Sequence, residues 1–190
     1  MSVAVILAGG KSRRMGRDKL SLQIDGLSML ESAAERFSAA FEQVYLSVAD
    51  EKKYPDVILP RILDIFPDAG PMSGLHAALS TLSAPGVFLV AADLPFSSPE
   101  AALKIIELCG EHEACVVRLP NGKLEPLFGY YKSSLLGACE NALEAGNYKM
   151  TALLPQDTTR FVEVSELGDL WSERLIKNIN YPEDYEKLHG

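Results

Sequence analysis

The chain alternates short apolar runs with amphipathic stretches. Val3 to Ala8 (VAVILA) is apolar at every position and is stopped by Gly9-Gly10. Six residues are too few for a stable helix, so the run predicts a strand buried on both faces. Leu27, Leu30, Ala34, Phe37 and Phe41 recur at helical spacing and predict an amphipathic helix over about Ser28 to Phe41. Val44 to Val48 (VYLSV) predicts a second strand. An irregular stretch rich in Pro and Asp follows, and then Met72, Leu75, Leu79 and Leu82 mark another helix face. Val87 to Ala92 (VFLVAA) predicts a third buried strand. Ser97-Ser98-Pro99-Glu100 carries the cap and first-turn signals of a helix running to about Cys109 and stopped by Gly110.

The second half is less regular. Ala114 to Leu119 and Leu124 to Tyr131 flank Pro120-Asn121-Gly122, and Asn-Gly between apolar runs predicts a hairpin. A helix is expected from about Ser133 to Ala145, a strand at Arg160 to Val164, and a terminal helix from Pro182-Glu183-Asp184. Strand-helix alternation of this kind defines the α/β class, with a mainly parallel sheet covered on both faces. The expected architecture is a Rossmann-like three-layer α/β/α fold with a small β-hairpin insertion. No repeat or low-complexity linker interrupts the chain, so residues 1–190 read as a single domain.

Composition narrows the function. With 47% hydrophobic and 23% charged residues, the chain has the balance of a soluble globular protein. No stretch approaches the roughly 18 apolar residues of a membrane helix, and no basic leader precedes the first apolar run. A cytoplasmic protein is expected. Cys109, Cys115 and Cys139 are odd in number and lack metal-type spacing, so they read as buried small apolar residues. A net charge of -8 argues against a nucleic-acid surface. Any anionic ligand must be held by a local patch.

Such a patch follows the first strand. Gly9 and Gly10 let the backbone turn sharply and approach a ligand closely, with amide groups free to face an anion. Lys11, Arg13, Arg14, Arg17 and Lys19 then place five cationic side chains within nine residues. That is enough to grip a triphosphate. Gly10-Lys11-Ser12 imitates the end of a P-loop, but the required first glycine would fall at Val5, inside the strand, and the dinucleotide fingerprint fails as well.

Ligands of open parallel sheets bind beyond the carboxyl ends of the strands. Asp93, after the Val87 to Ala92 strand, lies at such an end and could hold a divalent cation bridging phosphates. The alternative is that it caps the following helix. Asp64, in "RILDIFPDAGPMSG", precedes a Gly70-Pro71 turn that opens a helix; on spacing alone it is a loop aspartate of no assigned role.

Together these residues resemble the nucleotidyltransferase superfamily, whose signature is a strand followed by L-A-[GA]-G-x-S-x-R-M-G-x-[DP]-K. Leu7 to Lys19 matches it at nearly every fixed position. Within the superfamily the chain is similar to the molybdenum cofactor guanylyltransferases, on "LAGG" at Leu7 to Gly10, "GPMSGL" at Gly70 to Leu75, "AADLPF" at Ala91 to Phe96, "EPLFGYY" at Glu125 to Tyr131 and "NINYPEDYEKL" at Asn178 to Leu188. The resemblance spans almost the whole chain.

It implies transfer of GMP from GTP to the phosphate of the molybdopterin cofactor, with magnesium as the metal and pyrophosphate as the leaving group. It places Leu7, Ala8 and Gly9 along the nucleotide, Gly10 and Arg14 near the phosphates, and Lys19 on the triphosphate. Asp64 would contact the nucleotide, and Asp93 would hold the magnesium. The catalytic set is Arg14, Lys19 and Asp93. Two positions depart from the family: Ser47 stands where some members carry an asparagine against the guanine nucleotide, and "ADLPF" replaces "CDTPF". Cytidylyl or sugar-nucleotide transfer, or nucleotide binding without turnover, are the alternatives. Asn121, Lys123, Glu125, Asn178 and Asn180 could line the acceptor pocket, though each also has a reading in turns or caps. A reactive acceptor of this kind implies hand-over complexes with other cofactor proteins; neither nucleic acid nor a membrane is an expected partner.

Overall fold

The computed structural model describes residues 1–9, 20, 23, 24 and 26–178. Gly10, Arg14 and Lys19, with the other cations of the loop, lie outside the described residues, as do Asn180 and the expected terminal helix.

The first apolar run is strand β1 (Val3–Leu7), buried at all five positions. It sits at the centre of a sheet, pairing in parallel with β4 (Gln43–Val48) on one side and β6 (Gly86–Ala91) on the other. Being covered on both faces is why its sequence shows no alternation. Beyond β4 lies β5 (Arg61–Leu63), again parallel. Beyond β6 lie β8 (Leu124–Lys132), β7 (Ala114–Arg118) and β9 (Thr159–Glu163), giving the order β5-β4-β1-β6-β8-β7-β9. Strand β8 alone runs against its neighbours in this sheet, and β7 and β9 are parallel. The expected hairpin is therefore built into the main sheet, its turn closed by Gly122 at φ 81° with Gly122 N–H donating to Leu119 O at 2.8 Å. A separate two-stranded ladder joins β2 (Gln23–Ile24) to β3 (Leu27–Ser28).

Helices α1 (Met29–Ala40) and α3 (Pro99–Cys109) cover one face of the sheet, where Phe37 and Ile105 join Ala4 and Ile6 of β1 in one core cluster. Helices α2 (Pro71–Thr81) and α4 (Leu136–Glu144) cover the other, where Leu75 and Leu143 meet Val3, Val5 and Leu7. This is the expected three-layer α/β/α arrangement. The predicted helix boundaries follow from their caps. Ser28 and Glu31 form a capping box at α1. The Ser98 hydroxyl accepts from Ala101 N–H at 3.1 Å to start α3, and Gly110 at φ 55° ends it.

The predicted helix over Ser133 to Ala145 opens as a 3-10 turn, Ser133–Leu135, before α4 begins. Further 3-10 segments follow at Met150–Leu153, Val164–Leu170 and Glu173–Ile176, where no helix was expected. The three cysteines are buried and free, as read from their spacing.

Candidate active site

Strand β1 carries the chain to the site. Its ladder runs one residue past the strand: Ala92 N–H donates to Leu7 O at 3.1 Å and Ala8 N–H donates to Ser47 O at 3.0 Å. The hydroxyl of Tyr54 reaches Ala8 O at 3.4 Å. Leu7 and Ala8 are thus fixed between β4 and β6, and Gly9 stands exposed where the strands give out.

Two clefts open around this end. One of about 290 Å³ is lined by Leu7, Gly9, Ser47, Asp64, Gly70 and Gly74, among others. The other, of about 130 Å³, includes Leu7, Ala8, Gly9, Asp93 and Leu127 in its walls. Leu7, Gly9 and Pro71 belong to both. The described residues expected to hold a nucleotide, Leu7, Ala8, Gly9, Asp64 and Asp93, are therefore brought together at the carboxyl ends of the parallel strands.

Asp64 is the first residue past β5, and its N–H donates to Val48 O at 3.1 Å. That backbone pairing leaves its half-buried carboxylate at the end of the sheet. Ser47, 2% exposed, donates its hydroxyl to Asp64 Oδ1 at 3.1 Å. The other oxygen faces Gly9, where a Cβ would lie 3.9 Å from Oδ2. Burial pushes the Asp64 carboxyl above the ordinary aspartate value, and the Ser47 hydrogen bond partly offsets the shift.

The segment after Asp64 is tied to the helix that follows it. Phe66 N–H donates to Ser73 Oγ at 3.2 Å, and the Phe66 ring meets His76 edge-on with centroids 4.9 Å apart. Gly70 at φ 64° then turns the chain into α2, whose N-terminal end lines the larger cleft. Helix α2 runs close against β1 and β4 because Gly74 has no side chain: a Cβ there would stand 2.5 Å from Ser47 Oγ and 2.6 Å from Leu7 Cδ2.

Asp93 lies two residues past the end of β6, half-buried in a turn. It does not cap α3, because Ser98 holds that position. Among the described residues no group of three or more His, Cys, Asp or Glu side chains could hold a metal ion. One aspartate suits magnesium, which is commonly bound through one or two carboxylates together with substrate phosphates and water. The hard oxygen donor and its place in the smaller cleft fit that ion.

Sequence reasoning missed Asp68, Gly70 and Gly74 in the larger cleft and Leu127 in the smaller one. A glycine inside a helix was the available signal for Gly74, since it costs about 1 kcal/mol against alanine and so implies a close approach. Of the residues suggested for the acceptor, Asn121 and Lys123 are engaged in the hairpin turn: Asn121 Oδ1 accepts from Lys123 N–H at 3.0 Å, and Lys123 Nζ pairs with Glu125 at 2.6 Å.

Strand β1 thus leads to an exposed Gly9 with Asp64 in the cleft on one side and Asp93 in the cleft on the other, and similarity to known proteins identifies the class as nucleotidyltransferase. The MobA-like NTP transferase domain model matches residues 4–160, and the chain belongs to that family. A relative named molybdenum cofactor guanylyltransferase, from Campylobacter jejuni, is 32% identical over 97% of this chain and 93% of its own length. The crystal structure of molybdopterin-guanine dinucleotide biosynthesis protein A from Archaeoglobus fulgidus superposes with a TM-score of 0.80 at 26% identity, covering 98% of this chain and 96% of that one. The 2-C-methyl-D-erythritol 4-phosphate cytidylyltransferase of Thermus thermophilus, at 17% identity, TM-score 0.69 and coverage of 98% and 96%, shares the fold alone.

Proposed function

We propose that this chain, a single nucleotidyltransferase domain, transfers GMP from GTP to the terminal phosphate of molybdopterin, forming molybdopterin guanine dinucleotide and releasing pyrophosphate. The observation that carries the reading is the pair of clefts sharing Leu7 and Gly9, one holding Asp64 and the other Asp93. The larger cleft takes the base and the smaller one the phosphates. An ionised carboxylate only accepts hydrogen bonds, and the guanine edge presents adjacent N1–H and N2–H donors to both carboxylate oxygens, whereas cytosine sets the N4–H2 donor beside an acceptor at N3 that repels the second oxygen. Asp64 therefore favours guanine.

Leu7, Ala8 and Gly9 lie along the nucleotide in this reading. The resemblance assigns Gly10, Arg14 and Lys19 to the phosphates, and Asp93 would hold the magnesium ion. When bound, that ion neutralises charge on the triphosphate and on the departing pyrophosphate. An oxygen of the acceptor phosphate attacks the α-phosphorus of GTP, and the bond from the α-phosphorus to the bridging oxygen of pyrophosphate breaks. The nucleophile is already an anion, so no protein group has to activate it or form a covalent intermediate. Alignment and charge stabilisation by Arg14 and Lys19 supply the catalysis.

Hand-over complexes with other cofactor proteins and a cytoplasmic location belong to the same proposal; no helix among the described residues is long and apolar enough to cross a membrane. Thermal shift with magnesium and each of GTP, CTP and UTP tests the nucleotide assignment, because a ligand bound to the native state raises the melting temperature. GTP is expected to give the largest rise. A larger rise with CTP would favour the cytidylyl alternative.

A further inference from the structure

We propose that Ser47 is the positioning residue for base selection: its hydroxyl holds Asp64 through Oδ1, so that Oδ2, beside Gly9, is presented to the exocyclic 2-amino group of guanine. The proposal rests on the guanine-nucleotide reading above. It extends that reading to a residue at which this chain departs from the pattern read in its sequence.

Ser47 is itself held. It lies in β4 opposite Leu7, its carbonyl accepts from Ala8 N–H at 3.0 Å, and its side chain is buried. Its hydroxyl occupies a slot whose far wall is the backbone of α2, since a Cβ on Gly74 would come within 2.5 Å of it. A hydroxyl has one hydrogen to donate, and here it goes to Asp64 Oδ1 at 3.1 Å. Asp64 is different: it stands past the end of the edge strand β5 with neighbours Leu63 and Ile65 exposed. Among the described residues, the Ser47 hydroxyl is the group whose hydrogen bond fixes this carboxylate over the cleft. The serine converts a carboxylate at a sheet edge into a preorganised acceptor. Burial also favours the protonated, non-selective form of Asp64, and the same hydrogen bond opposes it. Asp68 is the other titratable side chain among the described residues that lines this cleft.

The test compares GTP with ITP, which lacks the 2-amino group, in the full-length protein with magnesium. One hydrogen bond from that group to a charged acceptor corresponds to roughly ten- to hundredfold in affinity. The wild type should prefer GTP by that ratio. Ser47→Ala should lower the ratio to within about threefold, chiefly by weakening GTP, with kcat changed far less than KM. Asp64→Asn should do the same, and adding Ser47→Ala to it should cost nothing further, because the serine acts through the carboxylate. A merely structural serine would lower the melting temperature but leave the GTP/ITP ratio alone. If Ser47→Ala fails to fold, Ser47→Cys, near in size and a weaker donor, should show a reduced ratio. A full ratio in Ser47→Ala or Ser47→Cys, or additive losses in the double variant, would overturn the role of Ser47 while leaving guanine recognition intact. A wild type that prefers CTP to GTP would overturn both.

Discussion

Gly74 and Ser47 approach so closely that a single Cβ on the helix would stand 2.5 Å from the serine hydroxyl oxygen. Helix α2 can lie against β1 and β4 only because residue 74 has no side chain, and that approach sets the wall of the larger cleft. Gly74→Ala should therefore force the helix outward. The alanine gains about 1 kcal/mol in helix propensity, but overpacking at a buried contact typically costs 1–3 kcal/mol. The melting temperature should fall by up to about 8 °C at this chain length, and GTP affinity should fall with it. An alanine variant that melts at or above the wild-type temperature with unchanged affinity would contradict the packing account.

Ser98 and Asp93 separate stability from catalysis. Ser98→Ala removes the cap of α3 and should cost about 1 kcal/mol, or roughly 2–4 °C in melting temperature, with turnover retained. Asp93→Asn should do the reverse, abolishing magnesium-dependent turnover while the melting temperature stays near the wild type. Parallel melts and initial-rate measurements check both. Gross unfolding of the Asp93 variant would return that residue to a structural role.

Much of this was legible beforehand for identifiable reasons. Strands β1 and β6 are buried on both faces, so continuous apolar runs marked them; apolar spacing marked α1, and a capping serine and a stop glycine marked the ends of α3. Strand β5 escaped because it is three residues long and lies at the sheet edge, with Leu63 exposed. Asp93 was singled out by its place at the carboxyl end of a predicted strand, and Asp64 only by the family resemblance. Their environment was not legible, because it depends on pairs distant in sequence: Ser47 to Asp64, and Gly74 to Leu7. Asn121 and Lys123 had a turn reading as well as a ligand reading, and their hydrogen bond within the hairpin bears out the turn reading.

Asp64 should make the protein less stable where it is most useful. Its carboxyl holds a proton to higher pH in the folded chain than in the unfolded one. The folded state thus binds more protons in that window, and stability falls as pH rises through it, the cost being complete once the folded carboxyl has ionised. Asp64→Asn should raise the melting temperature at pH 7, and the difference should vanish in acid, below the range where a free aspartate titrates. Melts from pH 3 to pH 8 follow the effect; an asparagine variant less stable than the wild type at pH 7 would reverse the sign.

Lys19 tests the sequence-based half of the phosphate site. Lys19→Ala should lower turnover by roughly 10² or more, the scale of losing one preorganised charge donor, whereas Lys11→Ala should cost much less. Equal losses in the two variants would mean that the loop acts through its summed charge.

The central claim is the transfer itself. Purified protein incubated with GTP, magnesium and molybdopterin should yield molybdopterin guanine dinucleotide by mass spectrometry, with one pyrophosphate released per product formed. Failure to form that product with GTP, while a CMP-linked product forms with CTP, would contradict the account.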